Sequence, residues 1–229
     1  MSTARLTNVD LLAPPVAQTA QQRTLVVGVV FGIISAVFAF LEPDQFFHSY
    51  LLGYMLWLGL TLGCLALLML QHLTGGVWGT VIRRPLEAGT RTLPLMLLLF
   101  IPVVLGMHHL YGWLDPAVIA KDKRLYDVTQ AYLTYKGFII RAVIYFLIWG
   151  WLIYSLNRAS AAQDQAPTRD LPVLRRISAP GLLLYAFSVS FAVIDWVMSL
   201  NAPWISTIYA LIFIVGQSLS AMSLMVVSR

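Results

Sequence analysis

The stretch YLLGYMLWLGLTLGCLALLML, residues Tyr50–Leu70, decides the class of fold, because it carries no charged side chain over the length of a spanning helix. A helix needs about 20 apolar residues to cross the hydrocarbon core of a bilayer. Further long apolar stretches are Thr24–Leu41, Leu93–His108, Gly137–Leu156, Gly181–Leu200 and Ile205–Val227. We therefore predict an all-α fold, a polytopic transmembrane bundle of about six helices.

The composition also indicates that lipid is the solvent. Of the 229 residues, 59% are hydrophobic and 11% are charged, whereas a soluble domain carries about 25% charged residues. The net charge of +5 does not indicate a nucleic-acid partner, because the basic residues lie between apolar runs and form no stripe with aromatic side chains. The single cysteine, Cys64, lies inside an apolar run, which excludes a disulfide or a cysteine-based metal site within this chain.

The distribution of Lys and Arg predicts the orientation in the membrane. Ten of these residues lie in the N-terminal tail, in the loops predicted after helices 2 and 4, and at the C-terminus, against three in the loop after helix 3. Cytoplasmic loops carry the excess of positive charge. We therefore predict a cytoplasmic tail over residues 1–23 and one transmembrane domain over residues 24–229, with both termini in the cytoplasm. No cleaved signal peptide is predicted.

Glycine and proline predict local features of the helices. Gly59 and Gly63 have the GxxxG spacing that lets two helices approach closely, either in ordinary bundle packing or at a dimerisation face. Pro102 predicts a kink in the third helix, and Pro180 is taken to mark the beginning of the fifth.

The segment GGVWGTVIRRPLEAGTR, residues 75–91, follows the second helix on the predicted inner side. Its two glycines permit a sharp bend. Its charges recur every four residues, which predicts an amphipathic turn at the interface with Glu87 paired to Arg91. Anchoring by positive charge is the simpler interpretation of this segment, ahead of a ligand site.

Asp195 is the clearest functional candidate, because a carboxylate inside a span costs several kcal/mol unless it has a partner. It lies in the fifth helix, about 7 Å below the predicted outer end. Ser188, Ala192, Asp195 and Ser199 share one small, polar helical face, so we expect this face to point inward.

Arg141 is the expected counter-charge, because the fourth helix places it at the same depth, and Tyr145 follows one turn later on the same face. Two interpretations stay open. The pair is either a static link between two helices or a carboxylate that handles protons beside its arginine.

The histidines lie at the ends of the predicted helices. His108 and His109 fall near the outer surface with His48, whereas His72 falls near the inner one. We expect no haem, because b-type ligands lie deeper in the spans than these residues do. The sequence also lacks a phosphate-binding loop, a dinucleotide fingerprint, an HExxH motif and a cysteine cluster.

Four stretches together resemble a known family. They are QFFHSYLLGYMLWLGLTLGCLALLMLQHLTGG (45–76), GGVWGTVIRRPLEAGTRTLPLM (75–96), YKGFIIRAVIYFLIW (135–149) and DWVMSLNAPWISTIYA (195–210). With them the chain resembles the second large membrane subunit of bacterial alternative complex III, a quinol-oxidising respiratory complex, within the polysulfide-reductase, NrfD-like group. The resemblance covers nearly the whole chain after residue 24.

This resemblance implies a multi-pass subunit of the bacterial inner membrane that works beside a homologous membrane subunit. It implies that quinol is oxidised near the outer face and that electrons pass to iron–sulfur and multihaem cytochrome c subunits. This type of subunit is assigned a quinone-related or proton-path role, and it holds no metal or redox cofactor of its own. Quinone or quinol would be a substrate.

The family motifs fall on residues that the charge argument also selects. The Asp-Trp pair of the last stretch is Asp195 and Trp196, and the arginine of the helix 4 stretch is Arg141. We therefore expect Asp195 and Arg141 to form the proton or quinone layer. His108, His109, Tyr145 and Trp196 are the candidate quinone-binding residues.

Two departures from the family limit what can be transferred. The family has an acidic residue, Pro and His where this chain has Asn201, Ala202 and Pro203, so a proton-relay role of that histidine has no counterpart here. The family's members also have further helices, so we expect this chain to be a fragment or a truncated product. Two other functions stay open, an assembly anchor for soluble redox subunits and a small-solute transporter.

Overall fold

The computed structural model describes residues 15–120, 123–165, 171–202 and 204–227. Within these ranges every regular element is a helix, which confirms the predicted all-α class. The chain divides into two compact units, Met1–Phe46 and Phe47–Arg229. Arg5, Lys121, Arg169 and Arg229, which entered the charge count, lie outside the described residues.

Helix α1, Pro15–Leu41, belongs to the first unit. It begins nine residues before the predicted Thr24, so residues 15–23 of the predicted tail are helical, and residues 1–14 lie outside the described part of the chain. Its apolar residues occupy every side of the helix, and those from Leu25 to Leu41 that the structure describes are mostly exposed within the unit. A helix that is apolar all round is typical of a membrane span.

The second unit holds the rest of the helices. Those that carry the bundle are α2 (Pro43–Thr74, which begins in the first unit), α3 (Val77–Thr90), α4 (Leu93–Leu99), α5 (Ile101–Leu105), α6 (Met107–Leu110), α7 (Pro116–Ile119), α8 (Lys123–Ala131), α9 (Tyr135–Gln165), α10 (Leu171–Trp196) and α11 (Tyr209–Val227). Two short 3₁₀ turns, Gly112–Leu114 and Met198–Asn201, complete the order.

Six helical segments among the described residues are long and apolar enough to cross a membrane. They are Gln22–Leu41, Pro43–Thr74, Val81–Leu105, Tyr135–Gln163, Val173–Asn201 and Tyr209–Val227. Many large apolar side chains on their surfaces are exposed, such as Leu147 at 66% and Phe187 at 66%. Such a surface requires a bilayer as its surroundings. The chain is therefore a multi-pass integral membrane protein; which terminus faces the cytoplasm stays a prediction.

The third span differs most from its prediction of Leu93–His108. It begins at Val81, because the segment after the Gly75–Gly76 bend is a helix that joins the span. Both glycines have positive φ, 69° and 93°, which confirms the predicted sharp bend. The predicted break at Pro102 is also confirmed, because α4 ends at Leu99 and α5 begins at Ile101.

The fifth span corrects the role given to Pro180. This proline lies inside α10, so the helix begins ten residues before the predicted start at Gly181. A hydropathy window detects only the longest apolar part of a helix, whereas Arg175, Arg176 and Ser178 interrupt the apolar residues of α10 before Pro180. Transmembrane helices tolerate proline where neighbouring groups satisfy the freed carbonyl.

The GxxxG pair of α2 packs against α11, as ordinary bundle packing requires. A Cβ atom added to Gly63 would overlap the backbone carbonyl of Gln217, and one added to Gly59 would lie 3.4 Å from the Gln217 Cβ. Gln217 in turn donates through Nε2 to the Tyr185 hydroxyl of α10 at 2.8 Å. The small residues therefore let α11 approach α2 and bring a polar side chain to α10.

Candidate functional site

The candidate site lies where the last turns of α10 meet the first turns of α9. Asp195 is fully buried, at 0% exposure, and its carboxylate receives two bonds from one guanidinium. Arg141 Nε donates to Oδ2 at 2.8 Å and Arg141 Nη2 donates to Oδ1 at 3.0 Å. This fork-shaped geometry is the strongest arrangement for an arginine and a carboxylate. The predicted pairing of Asp195 with Arg141 is confirmed.

Tyr145 completes the coordination of the carboxylate. Its hydroxyl donates to Asp195 Oδ2 at 2.7 Å, one turn along α9 from Arg141. The Ser199 hydroxyl donates to the backbone carbonyl of Asp195. The predicted inward face is confirmed for Ser188, Ala192 and Asp195 of α10, which are buried, and Ser199 is buried in the 3₁₀ turn that follows.

Tyr132 is a member of the site that the sequence did not reveal. The Arg141 guanidinium lies over its ring, with Cζ 4.0 Å from the ring centroid, and Arg141 Nη1 donates to the Tyr132 carbonyl at 3.1 Å. The Tyr132 hydroxyl is buried and makes no hydrogen bond with the described residues. Tyr132 lies in the turn after α8, outside any periodic pattern, so no sequence signal could have selected it.

An aromatic layer packs directly beneath the ion pair. Trp196 is fully buried, and its ring contacts Phe100, Tyr145, Phe146 and Trp149 with centroid distances from 4.7 to 6.0 Å. The Tyr111 hydroxyl donates to the Trp196 carbonyl at 3.0 Å. Trp196 therefore holds the end of α10 in the core, and a ligand could touch it only after displacing these rings.

The two tyrosines outside the spans have altered acidity. Burial, followed by the charge of Asp195, raises the pKa of Tyr132 to about 12. Burial, again followed by Asp195, raises the pKa of the Tyr111 hydroxyl far above its usual value of 10. Both hydroxyls are therefore neutral at physiological pH, and the Tyr111 hydroxyl uses its one proton in the bond to the Trp196 carbonyl.

A small cavity of about 190 Å³ adjoins the ion pair. Its walls include two neighbours of the ion pair, Tyr132 and Ser199, but neither Asp195 nor Arg141, and Met198, Ala202, Trp204 and Ile205 are among the others. Cavities that enclose a drug-sized molecule measure roughly 300–1,000 Å³. This one has room for a ring or for a few waters, but not for a whole prenylated molecule.

The predicted quinone-binding histidines lie apart from the buried charge. His108 and His109 are exposed in the short helix α6, whereas Asp195 is inaccessible. His109 stacks on Phe47 of α2 with ring centroids 5.3 Å apart. Of the predicted site residues, the structure thus brings together Asp195, Arg141, Tyr145 and Trp196, and it places both histidines on the surface.

A second buried carboxylate lies near the other end of α9. Glu87 is 2% exposed, and it accepts from Arg83 Nε at 3.0 Å, from Arg84 Nη1 at 2.7 Å and from the Ser160 hydroxyl. The predicted pairing of Glu87 with Arg91 is wrong. Arg91 follows the end of α3 at Thr90 and donates instead to Asn157 Oδ1 at 3.3 Å.

His72 lies among polar groups of α2 and α10. Its Nδ1 is 3.3 Å from the Ser178 hydroxyl, and its Nε2 is buried without a hydrogen-bond partner among the described residues. Within the described ranges no three His, Cys, Asp or Glu side chains converge as a metal site would require. The Asp195 centre is a set of hydrogen bonds from Arg141 and Tyr145 around one buried carboxylate.

No family model matches the chain, and no curated protein matches it either.

Proposed function

We propose that the chain is an integral membrane subunit of a respiratory quinol-oxidising complex, to which it contributes a polar centre for quinone or protons near the outer face. The observation that carries this proposal is the buried Asp195–Arg141–Tyr145 centre with a small cavity beside it. The residues that pair here come from two of the stretches that resemble the membrane subunit of alternative complex III. A contact between them supports the resemblance.

The proposal assigns proton handling to the residues of this chain. Oxidation of one quinol releases two protons and two electrons, and the electrons would go to iron–sulfur and cytochrome c centres in partner subunits. A quinol ring in the cavity would lie against Tyr132 and Ser199. We assign the uptake of protons to Asp195, and Arg141 would hold the anionic form of its carboxylate between transfers.

The cavity limits how such a substrate would bind. Its volume of about 190 Å³ admits a quinone ring while the prenyl chain remains in the bilayer. Its walls are mostly apolar apart from Tyr132 and Ser199, which suits a ring with two polar oxygens. The exposed His108 and His109 do not line this cavity.

A second function, that of a structural anchor, is favoured by a different observation. Asp195 has no exposed surface, and Trp196 seals it from below within the aromatic layer. A bidentate ion pair closed in this way also serves to link two helices. Such a chain would hold soluble redox partners in the membrane without handling protons itself.

Membership of a complex is tested by affinity purification of the tagged chain from membranes solubilised in mild detergent, followed by mass spectrometry and a stain for haem c. We expect a multihaem cytochrome, an iron–sulfur protein and a second membrane subunit of similar fold to co-purify. If the chain is recovered alone and catalyses uptake of a small solute in vesicles, the redox proposal is wrong and a transporter takes its place.

A further inference from the structure

A groove between the helices carries a feature that the proposed function does not use. It measures about 450 Å³ and lies between the α3–α4 junction and α9. One end is lined by Arg91, Asn157 and Arg158, and the walls beyond it by Pro94, Gly150 and Tyr154. The groove is therefore cationic at one end and mainly apolar along its length.

The spacing along α9 explains this gradient. Gly150, Tyr154 and Arg158 lie four residues apart, so they form one row on one face of the helix. From Gly150 to Arg158 the row covers about 12 Å at 1.5 Å per residue. This distance is comparable to the upper part of an acyl chain, with the headgroup region at its end.

The arginines at the cationic end have donors to spare. Arg91 uses only Nε in its bond to Asn157, which also ties the two walls of the groove together. Arg158 is exposed, and none of the described residues that line the groove is acidic. Two guanidinium groups that face the same opening can bind a phosphodiester through several charge-assisted hydrogen bonds.

Gly150 leaves space on the apolar wall. A Cβ atom added to it would have Leu93 Cδ2, at 4.0 Å, as its nearest neighbour outside the helix backbone. Because the position has room for a side chain, glycine is not required by packing there. The missing side chain instead keeps a channel open beside the exposed ring of Tyr154, in which an apolar chain can lie.

We infer that this groove binds one anionic glycerophospholipid, with its phosphate on Arg91 and Arg158 and an acyl chain along Gly150 and Tyr154. Basic pockets between transmembrane helices at the cytoplasmic side are suited to anionic headgroups. The groove lies at the end of α9 that carries Ser160, the partner of Glu87, where the charge count predicts the inner face. Lipid binding in this groove does not depend on quinol chemistry.

The test counts lipids on the delipidated full-length protein by native mass spectrometry, during titration with dioleoyl-phosphatidylglycerol or dioleoyl-phosphatidylcholine. We expect one phosphatidylglycerol per chain and at least fivefold weaker binding of phosphatidylcholine. Arg158→Gln should weaken phosphatidylglycerol binding about fivefold, the usual worth of one basic residue near an anionic surface. Gly150→Leu should abolish it by filling the channel while it leaves both arginines in place.

Arg176→Gln is the matched control, because Arg176 is exposed in α10 and does not line the groove. It should bind phosphatidylglycerol as the wild type does. Equal weakening by Arg176→Gln and Arg158→Gln would show a general effect of surface charge and overturn the inference. So would unchanged binding by a Gly150→Leu protein that elutes normally on gel filtration. Displacement of the lipid by an equal concentration of inorganic phosphate would indicate a free-anion site instead.

Discussion

Among the described residues, two carboxylates are buried, and they are stabilised in different ways. Asp195 takes its arginine from another helix, α9, in one bidentate contact. Glu87 takes both its arginines, Arg83 and Arg84, from its own helix, three and four residues away. Arg141 and Ser160, their partners on α9, are about 28 Å apart along its axis at 1.5 Å per residue.

The ion pair of Asp195 depends on the packing of two helices, whereas Glu87 has two arginines on its own helix, so that one of them is redundant. The charge of Asp195 is balanced by the single guanidinium of Arg141, and only while α9 and α10 are packed together. Glu87 keeps one arginine when it loses the other, whether or not the helices are in place. An ion pair that is made between helices by one residue on each side can open and close with their packing, which is what a site that exchanges protons needs. The Glu87 centre is suited to a structural role.

The largest expected effect comes from removing one arginine at each centre. Arg141→Gln leaves Asp195 buried without a counter-charge, so we expect a loss of about 3–5 kcal/mol in stability. Arg84→Gln leaves Arg83 bound to Glu87, and the Arg84 side chain is 56% exposed. The melting temperature of the Arg84→Gln variant should therefore stay close to that of the wild type. Thermal unfolding in detergent measures both. Equal losses of stability in Arg141→Gln and Arg84→Gln would contradict the claim that only the Glu87 centre has a second arginine in reserve.

The next effect concerns the hydroxyl donors. Tyr145→Phe removes the 2.7 Å bond to Asp195, and bonds to charged groups are worth about 1.5–3 kcal/mol. Ser160→Ala removes one of three donors to Glu87, whose two arginines remain, so the loss should be smaller. Chemical denaturation of both variants under the same conditions gives the comparison. A larger loss for Ser160→Ala would reverse the assignment of the more sensitive centre.

The paired replacement Arg141→Met with Asp195→Leu distinguishes stability from function. Apolar side chains of similar volume replace a buried ion pair with little or no loss. We expect this double variant to be more stable than Arg141→Gln alone, although it leaves the buried Tyr145 hydroxyl without its acceptor. Its quinol-dependent electron transfer should be lost. A double variant that is stable and fully active would show that the Asp195–Arg141 pair only links the two helices.

The smallest effect is the dependence on alkaline pH that Tyr132 contributes. Because the folded protein raises the pKa of Tyr132 to about 12, from 10 in the unfolded chain, its contribution to stability is complete below pH 10. It is lost as the pH rises from 10 to 12. Tyr132→Phe should therefore lose less stability than the wild type between pH 9 and pH 11, as measured by melting temperature. The raised pKa of Tyr111 affects the wild type and the Tyr132→Phe variant alike, so it does not contribute to the difference between them.

The sequence predicted the elements that depend on hydropathy and on single buried charges. A carboxylate and an arginine at the same depth in two apolar helices had few other ways to be neutralised, so Asp195 and Arg141 could be paired in advance. The kink at Pro102 and the bend at Gly75 follow from backbone chemistry that belongs to those residues alone.

The parts that could not be predicted depend on contacts between distant segments. The start of α10 before Pro180 contains Arg175 and Arg176, so a hydropathy argument begins the span too late. Glu87 could have paired with an arginine on either side, and only the end of α3 at Thr90 excludes Arg91. Tyr132 enters the site from a turn, because Arg141 bonds to its carbonyl and lies over its ring.

The most direct test of the central claim measures quinol-dependent electron transfer in the assembled complex for Asp195→Asn and Glu87→Gln. Both substitutions remove one buried charge and keep the shape of the side chain. We predict that Asp195→Asn lowers turnover about a hundredfold or more, the usual scale for loss of a proton-transfer group, while the complex stays intact, and that Glu87→Gln retains turnover. Normal turnover in an intact Asp195→Asn complex would contradict the claim and leave the pair as a structural link.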